Sequence, residues 1–361
     1  MNINKISADI LAGYPALESI KFNFNGLVVT LFSNSTLLLD RLARYFDGFM
    51  LDADNELMAE SDFKVMAIEK APPIFKEKFK VKAPDPGKDK IKEEFLDIDQ
   101  GRIVRKILTG MVFLFGSGIN LAVGPCLAND NQVVNFINNR LIHWELENGA
   151  LLAHAAAVGR GDHGLAVAGF SGMGKSTLAL HLLSLGFDFI SNDRLLLRKV
   201  NERLIMKGVP KLPRINPGTA LNNPNLVSVI PEEEVSMFQG LTPAQTWVLE
   251  HKYDVDINRC FGTNRFRLES PLTHLGILNW RLDGGPMDIE PVDLRVRPDL
   301  LRAIKKDPGL FYMPANGNHS NLTENNYLDL LESVQVFELS GGTDFALAAR
   351  LCQEQLTSIN K

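Results

Sequence analysis

A glycine-rich stretch carries the strongest chemical signal in the sequence. Gly169-Phe170-Ser171-Gly172-Met173-Gly174-Lys175-Ser176 fits the pattern GxxxxGK[ST], and Thr177 follows it. Glycines let the backbone turn with positive φ, so that its N–H groups can face phosphate oxygens. Lys175 would supply a cation for the β and γ phosphates, and the Ser176 hydroxyl can ligate Mg²⁺. We therefore predict that residues 169–176 bind nucleotide phosphates together with Mg²⁺. The alternative is a glycine-rich turn with a chance lysine.

A phosphate loop also needs a carboxylate for its metal, usually at the end of a neighbouring strand. Residues 187–191 alternate apolar and polar side chains, and Asn192 and Asp193 follow directly. We predict Asp193 as the metal ligand, with Ser176 as its partner, and as a catalytic residue. A turn or helix-cap aspartate is the alternative interpretation.

Three further residues are candidates for a role in catalysis or substrate binding. His154 lies in an apolar run 15 residues before Gly169. A histidine in such a run is more often a core residue, and a catalytic role is the second interpretation. Lys211 and Arg214 lie in a segment stiffened by three prolines, and an ordered guanidinium can bind phosphate with two hydrogen bonds. They are a predicted clamp for substrate or phosphate, with a rigid surface loop as the alternative.

Hydrophobic periodicity predicts the elements that hold these residues. Before the loop we predict strands over 151–158 and 165–168, and after it a helix over 176–185 that ends at Gly186. The pattern of the remaining C-terminal part predicts strands over 246–249, 253–257, 275–280, 287–292 and 334–339 and a last helix, capped by Thr343 or Asp344, to about residue 356.

The first part of the chain has a different character. Residues 1–125 are predicted as an α+β region, with a strand signal over 22–32, a helix over 35–46 and a lysine- and proline-rich loop at 69–94. An antiparallel meander is predicted over 94–98, 102–108, 111–115 and 119–123. Residues 126–361 are predicted as a second domain, which begins with a helix over 133–146.

Composition excludes several classes of protein. The chain has 361 residues, 45% hydrophobic and 22% charged, which is typical of folded globular proteins. A net charge of −5 does not favour nucleic acid as a partner. The apolar stretch 107–123 is short and interrupted by glycine and polar residues, so we predict no membrane span. Three distant cysteines and no secretory signal predict a reducing, cytoplasmic location.

Taken together, the upstream histidine, the loop, its helix and the strand ending in Asn192-Asp193 resemble the catalytic domain of HPr serine kinase/phosphorylase. The HprK-related kinase B family is the closer resemblance. The resemblance is specific over 151–200 and looser over 207–219 and 341–345. It implies an α/β fold with a phosphoenolpyruvate-carboxykinase-like P-loop kinase core and a mixed sheet. It also implies that residues 169–177 hold the nucleotide, ATP or GTP, and that His154 lies beside the reacting phosphate. It makes a homo-oligomer an expectation.

Two residues depart from that resemblance. Asn192 stands where the family has the first of two aspartates, the presumed general base, and an amide cannot accept a proton at neutral pH. Three alternatives follow: Asp193 serves as both metal ligand and base, His154 takes the proton, or phosphoryl transfer is weak. Thr177 stands where the phosphorylase pattern has glutamate, which disfavours the reverse reaction.

Two functions follow from these residues. The first is a Mg²⁺-dependent kinase that transfers the γ-phosphate of ATP or GTP to a hydroxyl, such as a protein serine, of an unknown protein or small-molecule acceptor. The second is a nucleotide-gated switch or assembly protein with slow hydrolysis and no acceptor. Asn192 favours the second, and Lys211 with Arg214 favours the first.

Overall fold

The computed structural model describes residues 1–14, 17–51, 59–84, 90–242, 245–246, 249, 251–314 and 322–357. It has a mixed α/β architecture with several sheets. The chain divides into two compact units. The N-terminal unit comprises Met1–Trp144 with Pro308–Asn318, and the C-terminal unit comprises Glu145–Asp307 with His319–Lys361. The domain boundary predicted between residues 125 and 126 stays a prediction.

An eight-stranded sheet forms the centre of the N-terminal unit. Its order is β1-β2-β3-β8-β7-β6-β5-β4, with parallel pairing only where β3 meets β2 and β8. The predicted meander is confirmed as β5 to β8, since all three of its strand pairs are antiparallel. The strands are β1 (Glu18–Asn23), β2 (Val28–Ser33), β3 (Phe63–Glu69), β4 (Lys80–Val81), β5 (Glu93–Ile98), β6 (Gly101–Lys106), β7 (Val112–Gly116) and β8 (Ile119–Gly124).

Among the described residues, three α-helices accompany this sheet. They are α1 (Ile3–Leu11), α2 (Thr36–Tyr45) and α3 (Asp130–Glu147), of which α3 reaches the first residues of the C-terminal unit. The predicted helices over 35–46 and 133–146 correspond to α2 and α3. Apolar side chains of α1, such as Ile3 and Ile10, pack with those of β6 to β8.

The C-terminal unit contains three further sheets, with strand orders β12-β10-β11-β18-β20-β19, β17-β14-β13-β9 and β15-β16. The strands are β9 (Leu151–Ala153), β10 (Ala155–Arg160), β11 (His163–Gly169), β12 (Asp188–Ser191), β13 (Leu195–Val200), β14 (Arg203–Lys207), β15 (Arg214–Ile215), β16 (Tyr253–Asp254), β17 (Glu269–Pro271), β18 (His274–Arg281), β19 (Asp288–Pro291) and β20 (Gln335–Gly342). The helices are α4 (Lys175–Ser184), α5 (Pro217–Leu221), α6 (Glu232–Gln239), α7 (Ile257–Phe261), α8 (Leu301–Ile304), α9 (Glu324–Leu330) and α10 (Phe345–Thr357).

The six-stranded sheet is mixed. β10 pairs antiparallel with β11 and β12, while β18 runs parallel to β11 and to β20. Its two faces belong to different cores, because side chains alternate along each strand. Ala156 and Val158 pack with α4 and α10, whereas Ala155 and Ala157 pack with α8 and α9.

The prediction of one strand over 151–158 is wrong. The run breaks at His154 into β9, which joins the four-stranded sheet, and β10, which joins the six-stranded sheet. The backbone N–H of His154 donates to the carbonyl of Ile304 at 2.6 Å instead of to a ladder partner. A continuous apolar run cannot reveal such a change of sheet, because both halves are buried.

Three other strand predictions need correction. Residues 253–257 divide into β16 and the start of α7, because Asp256 caps the helix by accepting from the N–H of Arg259 at 3.0 Å. Thr246 donates its N–H to the carbonyl of Thr242 at 3.0 Å, as in a helical turn, and residues 247 and 248 lie outside the described residues. The strand signal over 22–32 also divides, into β1 and β2, at a turn in which the N–H of Phe24 donates to the carbonyl of Leu27 at 2.9 Å. The remaining predicted strands, over 165–168, 275–280, 287–292 and 334–339, correspond to β11, β18, β19 and β20.

Candidate nucleotide-phosphate site

The glycine-rich loop connects β11 to α4, as its sequence predicts. Gly172 and Gly174 have φ values of 85° and 87°, which side-chain-bearing residues rarely adopt. A Cβ atom at Gly174 would also lie 2.5 Å from the ring of Phe345. Gly174 precedes the first residue of α4 and provides no side-chain cap, so the first N–H groups of this helix face the loop as potential donors.

Lys175 is folded back onto this loop. Its ammonium group donates to the carbonyls of Gly169 at 2.7 Å and Phe170 at 3.2 Å, and the residue is only 8% exposed. Burial lowers the pKa of Lys175 to about 8, with Lys306 adding to this decrease and Asp193 opposing it. A phosphate oxygen would offer this ammonium group a stronger, charged partner than two neutral carbonyls.

Residues far along the chain support the loop. The indole N–H of Trp280 donates to the carbonyl of Met173 at 2.9 Å. The ring of Phe345, at the start of α10, packs edge-on against Trp280 with centroids 5.3 Å apart. The hydroxyls of Thr177 and Thr219 lie 2.8 Å apart and connect α4 to α5. The loop is therefore held by β18, α5 and α10 together.

A cavity of about 580 Å³ opens beside the loop, a volume within the usual range for small-molecule sites. Most of the sequence-predicted site residues line it: His154, Ser171, Gly172, Gly174, Lys175, Ser176, Thr177, Asn192, Asp193, Lys211 and Arg214. Gly169, Phe170 and Met173 are not among the lining residues. They shape the loop instead, since the carbonyls of all three accept the hydrogen bonds described above.

Different elements bring the other candidates to this cavity. Asn192 and Asp193 follow the end of β12, where the hydroxyl of Ser191 donates to the carbonyl of Arg194 at 2.5 Å and closes the turn. Lys211 precedes the two-residue strand β15, which begins at Arg214. Pairing of β15 with β16 fixes this segment beside the loop helix.

Positive charge dominates the cavity. Lys175, Lys211, Arg214 and Lys252 line it, and Asp193 is the single lining carboxylate within the part of the chain that the structure describes. Burial also lowers the pKa of Lys211, opposed by Asp193. Burial and the charges of Lys175 and Lys306 lower the pKa of His154 to about 4, so its imidazole is neutral at neutral pH. The arrangement is suited to a highly charged anion.

Three buried polar atoms at the cavity have no hydrogen-bond partner among the described residues: Asn192 Oδ1, Asn216 Oδ1 and Thr343 Oγ1. Buried polar atoms are nearly always paired in folded proteins, so unpaired atoms that line a cavity indicate a place for a ligand or water.

The donor set also fits Mg²⁺. Ser176 and Asp193 offer hard oxygen ligands, and Mg²⁺ typically takes one or two such protein ligands together with substrate phosphates and water. No cluster of three or more histidine, cysteine, aspartate or glutamate side chains suited to a metal occurs within the described ranges. A metal held partly by a nucleotide does not require such a cluster.

Sequence reasoning missed several residues of the site. Asn216, Lys252 and Thr343 line the cavity, and Lys306, after α8, acts electrostatically on His154 and Lys175. Asn216 lies in the proline-stiffened segment that the sequence analysis predicts as a clamp, so its position could have been found from the sequence. No sequence pattern pointed to Lys306, which reaches the site only through the tertiary fold. Glu250, a weaker sequence candidate for a second carboxylate, lies outside the described residues.

Comparison with known proteins adds little. No protein-family model and no curated protein matches the chain. Among solved structures, the HPr(Ser) kinase/phosphatase from Coxiella burnetii is similar, with 12% sequence identity, coverage of 58% of this chain and 99% of that chain, and a TM-score of 0.30. At that level of similarity neither fold nor function transfers. None of the described helices combines the length and the hydrophobicity needed to cross a lipid bilayer.

Proposed function

We propose that this protein is a Mg²⁺-dependent kinase that transfers the γ-phosphate of ATP or GTP to a hydroxyl group. One observation carries the proposal: the phosphate-loop lysine, the candidate metal carboxylate and three further cations line a single cavity. The sequence resemblance to the HPr serine kinase/phosphorylase domain supports a P-loop kinase core of the phosphoenolpyruvate-carboxykinase type.

In this mechanism the loop binds the nucleotide. The N–H groups at the start of α4 and the ammonium group of Lys175 bind the β and γ phosphates. Lys175 would exchange the carbonyls of Gly169 and Phe170 for phosphate oxygens. Ser176 and Asp193 would hold Mg²⁺, which neutralises charge on the phosphates when bound.

The transfer step depends mainly on position and charge, because phosphoryl transfer has a loose transition state. The hydroxyl oxygen attacks the γ phosphorus, the bond to the bridging oxygen breaks, and the nucleoside diphosphate leaves. Asp193, the one carboxylate among the described cavity-lining residues, accepts the hydroxyl proton. Asn192 Oδ1 shares the hydroxyl proton with Asp193 as a second hydrogen-bond acceptor before transfer, and the neutral His154 lines the same cavity.

A labelling experiment tests the proposal. The purified chain is incubated with γ-labelled ATP, Mg²⁺ and a fractionated cell extract, in parallel with the Lys175→Ala variant. The kinase function is supported if an acceptor in the extract becomes labelled with the parent protein and not with the Lys175→Ala variant. Absence of nucleotide binding by the parent protein would contradict the phosphate site itself.

A second candidate function is favoured by Asn192, which cannot act as a base. A nucleotide-gated switch or assembly protein would hydrolyse the nucleotide slowly and phosphorylate nothing. It predicts that the label appears only in inorganic phosphate. The same incubation therefore separates the two functions.

A further inference from the structure

Three cations that line the cavity belong to two parts of the chain: Lys175 to the glycine-rich loop, and Lys211 with Arg214 to the proline-stiffened segment. Asp193 and Lys306 are the charges that act on Lys175 at the loop. Asp193, Arg194, Arg214 and Asp254 act on Lys211. Asp193 lines the same cavity as Lys175, Lys211 and Arg214 and acts on both lysines.

Binding of the nucleotide explains the presence of Lys175 and Asp193. Phosphate loops bind the triphosphate with backbone N–H groups, one lysine and a metal, all of which the loop and Asp193 can provide here. Lys211, Arg214 and Lys252 line the same cavity but belong to other segments. A phosphate loop does not require these three cations to bind a nucleotide. They are therefore available to bind a second anion.

Arg214 is poised to accept such an anion. Its guanidinium Nε lies 3.3 Å from Asp254 Oδ1, and the two side chains are 51% and 57% exposed. Exposed ion pairs of this kind contribute little to stability, so an incoming anion can replace the aspartate as partner at little cost. Lys211 is partly buried with its pKa lowered mainly by burial, and a nearby anion would favour its charged form.

The unpaired oxygens of the cavity require a hydrogen-bond donor, whereas the cations require an anion. Asn192 Oδ1 and Asn216 Oδ1 can only accept hydrogen bonds, and neither a phosphate monoester dianion nor a carboxylate has a proton to donate. A hydroxyl group supplies that proton. Asn216 is two residues from Arg214, so an acceptor of hydrogen bonds and a cation lie on one short segment.

We propose that the acceptor of the phosphoryl group is an anionic alcohol, whose phosphate or carboxylate binds Lys211 and Arg214 while its hydroxyl binds the amide oxygen of Asn192. This inference rests on the proposed kinase function and names its substrate class. In the transfer step the alcohol oxygen forms the new bond to the γ phosphorus, and the nucleoside diphosphate leaves with the electrons of the broken P–O bond. The alcohol proton, which Asn192 Oδ1 and the adjacent carboxylate of Asp193 share before transfer, moves to Asp193.

Inorganic phosphate serves as the probe for the anion subsite. The protein is first saturated with Mg²⁺ and a non-hydrolysable ATP analogue, whose affinity is measured, and phosphate is then titrated by calorimetry. We expect saturable phosphate binding to the loaded protein, weakened about tenfold or more in Arg214→Gln and in Lys211→Gln, because each loses a charge-assisted contact. Affinity for the ATP analogue should change much less than affinity for phosphate.

Arg267→Gln is the matched control. Arg267 is 57% exposed, pairs with Asp188 at 3.4 Å and does not line this cavity. Its variant should bind phosphate like the parent. A competition experiment then uses alcohols as ligands. Glycerol 3-phosphate, an anionic alcohol, should displace phosphate from the loaded protein, whereas neutral glycerol should not.

Three outcomes would overturn the inference while leaving the proposed function intact. They are analogue binding without phosphate binding, equal phosphate binding by Arg214→Gln and the parent, and an equal loss of analogue and phosphate affinity in that variant. The last would assign Arg214 to the nucleotide. Failure of the analogue to bind at all would instead reject the kinase function, and the first titration detects it.

Discussion

Arg140 in the N-terminal unit and Lys175 in the C-terminal unit are both buried cations, 3% and 8% exposed. The guanidinium of Arg140 lies over the rings of Phe115 and Phe136, 4.3 Å and 5.7 Å from their centroids, and donates to the carbonyl of Phe311. Lys175 donates to loop carbonyls beside a cavity. Burial lowers the pKa of both groups, to about 9 and about 8.

The difference between them lies in their surroundings. Aromatic faces attract the charge of Arg140, and its long side chain adds packing area, so the residue serves the core. Around Lys175, further cations and unpaired polar atoms line a cavity. A buried cation and a lowered pKa therefore do not identify a binding site by themselves. Unpaired polar atoms do not identify one either, because Arg140 Nε and both amide atoms of Asn138 are also unpaired among the described residues. A cavity lined by further cations distinguishes Lys175 from Arg140.

The largest effect is expected for Lys175→Ala. Nucleotide affinity or turnover should fall by about 10³-fold, since the variant loses the charged contact to the phosphates. The thermal midpoint should change little, because the deleted ammonium group is held by two loop carbonyls and its removal relieves a buried charge. Titration with a fluorescent nucleotide and thermal unfolding give the two readouts. Unchanged affinity would make Lys175 a structural cation like Arg140.

Asp193→Asn tests the carboxylate that opposes the cavity cations. Turnover should fall by about 10²-fold, and the Mg²⁺ concentration for half-maximal rate should rise, while affinity for metal-free nucleotide should increase or stay constant. Mg²⁺ titrations at fixed nucleotide measure this. If the curves of variant and parent coincide, Asp193 does not bind the metal.

Arg140→Ala should lower stability and leave nucleotide affinity unchanged, the reverse of the result expected for Lys175→Ala. Loss of packing against Phe115 and Phe136 should lower the free energy of unfolding by about 2–3 kcal/mol, with nucleotide affinity unchanged. Arg140→Met, which keeps an apolar chain of similar length, should recover part of the loss. Denaturant unfolding measures both variants. A loss of nucleotide affinity without a loss of stability would contradict the comparison.

Asn192→Asp tests the residue where the sequence departs from its resemblance. If Asn192 supplies only a hydrogen-bond acceptor, a second negative charge next to Asp193 should repel the γ-phosphate and slow turnover about tenfold. If a missing base limits the reaction, the same change should raise the rate. We expect the decrease. A steady-state rate at fixed Mg²⁺ distinguishes the two.

The smallest effect concerns His154 and pH. Its folded-state pKa of about 4 lies below the ordinary value of 6.5, so the unfolded chain binds this proton first as pH falls. The contribution of neutral His154 to stability is complete above pH 6.5 and decreases between 6.5 and 4. Thermal midpoints measured from pH 7 to 5 should therefore fall more steeply for the parent than for His154→Gln. His181 and His274, whose pKa values are also lowered, are present in both proteins. Parallel curves would show that His154 does not titrate in this way.

Local patterns were sufficient for much of the fold. The β5 to β8 meander, α2, α3 and α4 follow from alternation, helical periodicity and glycine positions, since each signal lies within one short segment. The cap of α10 was also predictable: Asp344 accepts from the N–H of Leu347 at 2.9 Å. The break at His154 was not, because it depends on a hydrogen bond to Ile304, 150 residues away.

The sequence by itself determined the strand–loop–helix around the glycine-rich loop and the place of Asn192-Asp193 after the next strand. Their chemistry depends on residue type and on spacing along a strand–loop–helix, both of which are local. Only the tertiary structure decided that Lys211, Arg214 and Lys252 line the cavity of that loop, that Lys306 acts on it, and that Trp280 and Phe345 support it. Charges and rings from distant segments interact through space, and their separation along the chain says nothing about that distance until the sheets have packed.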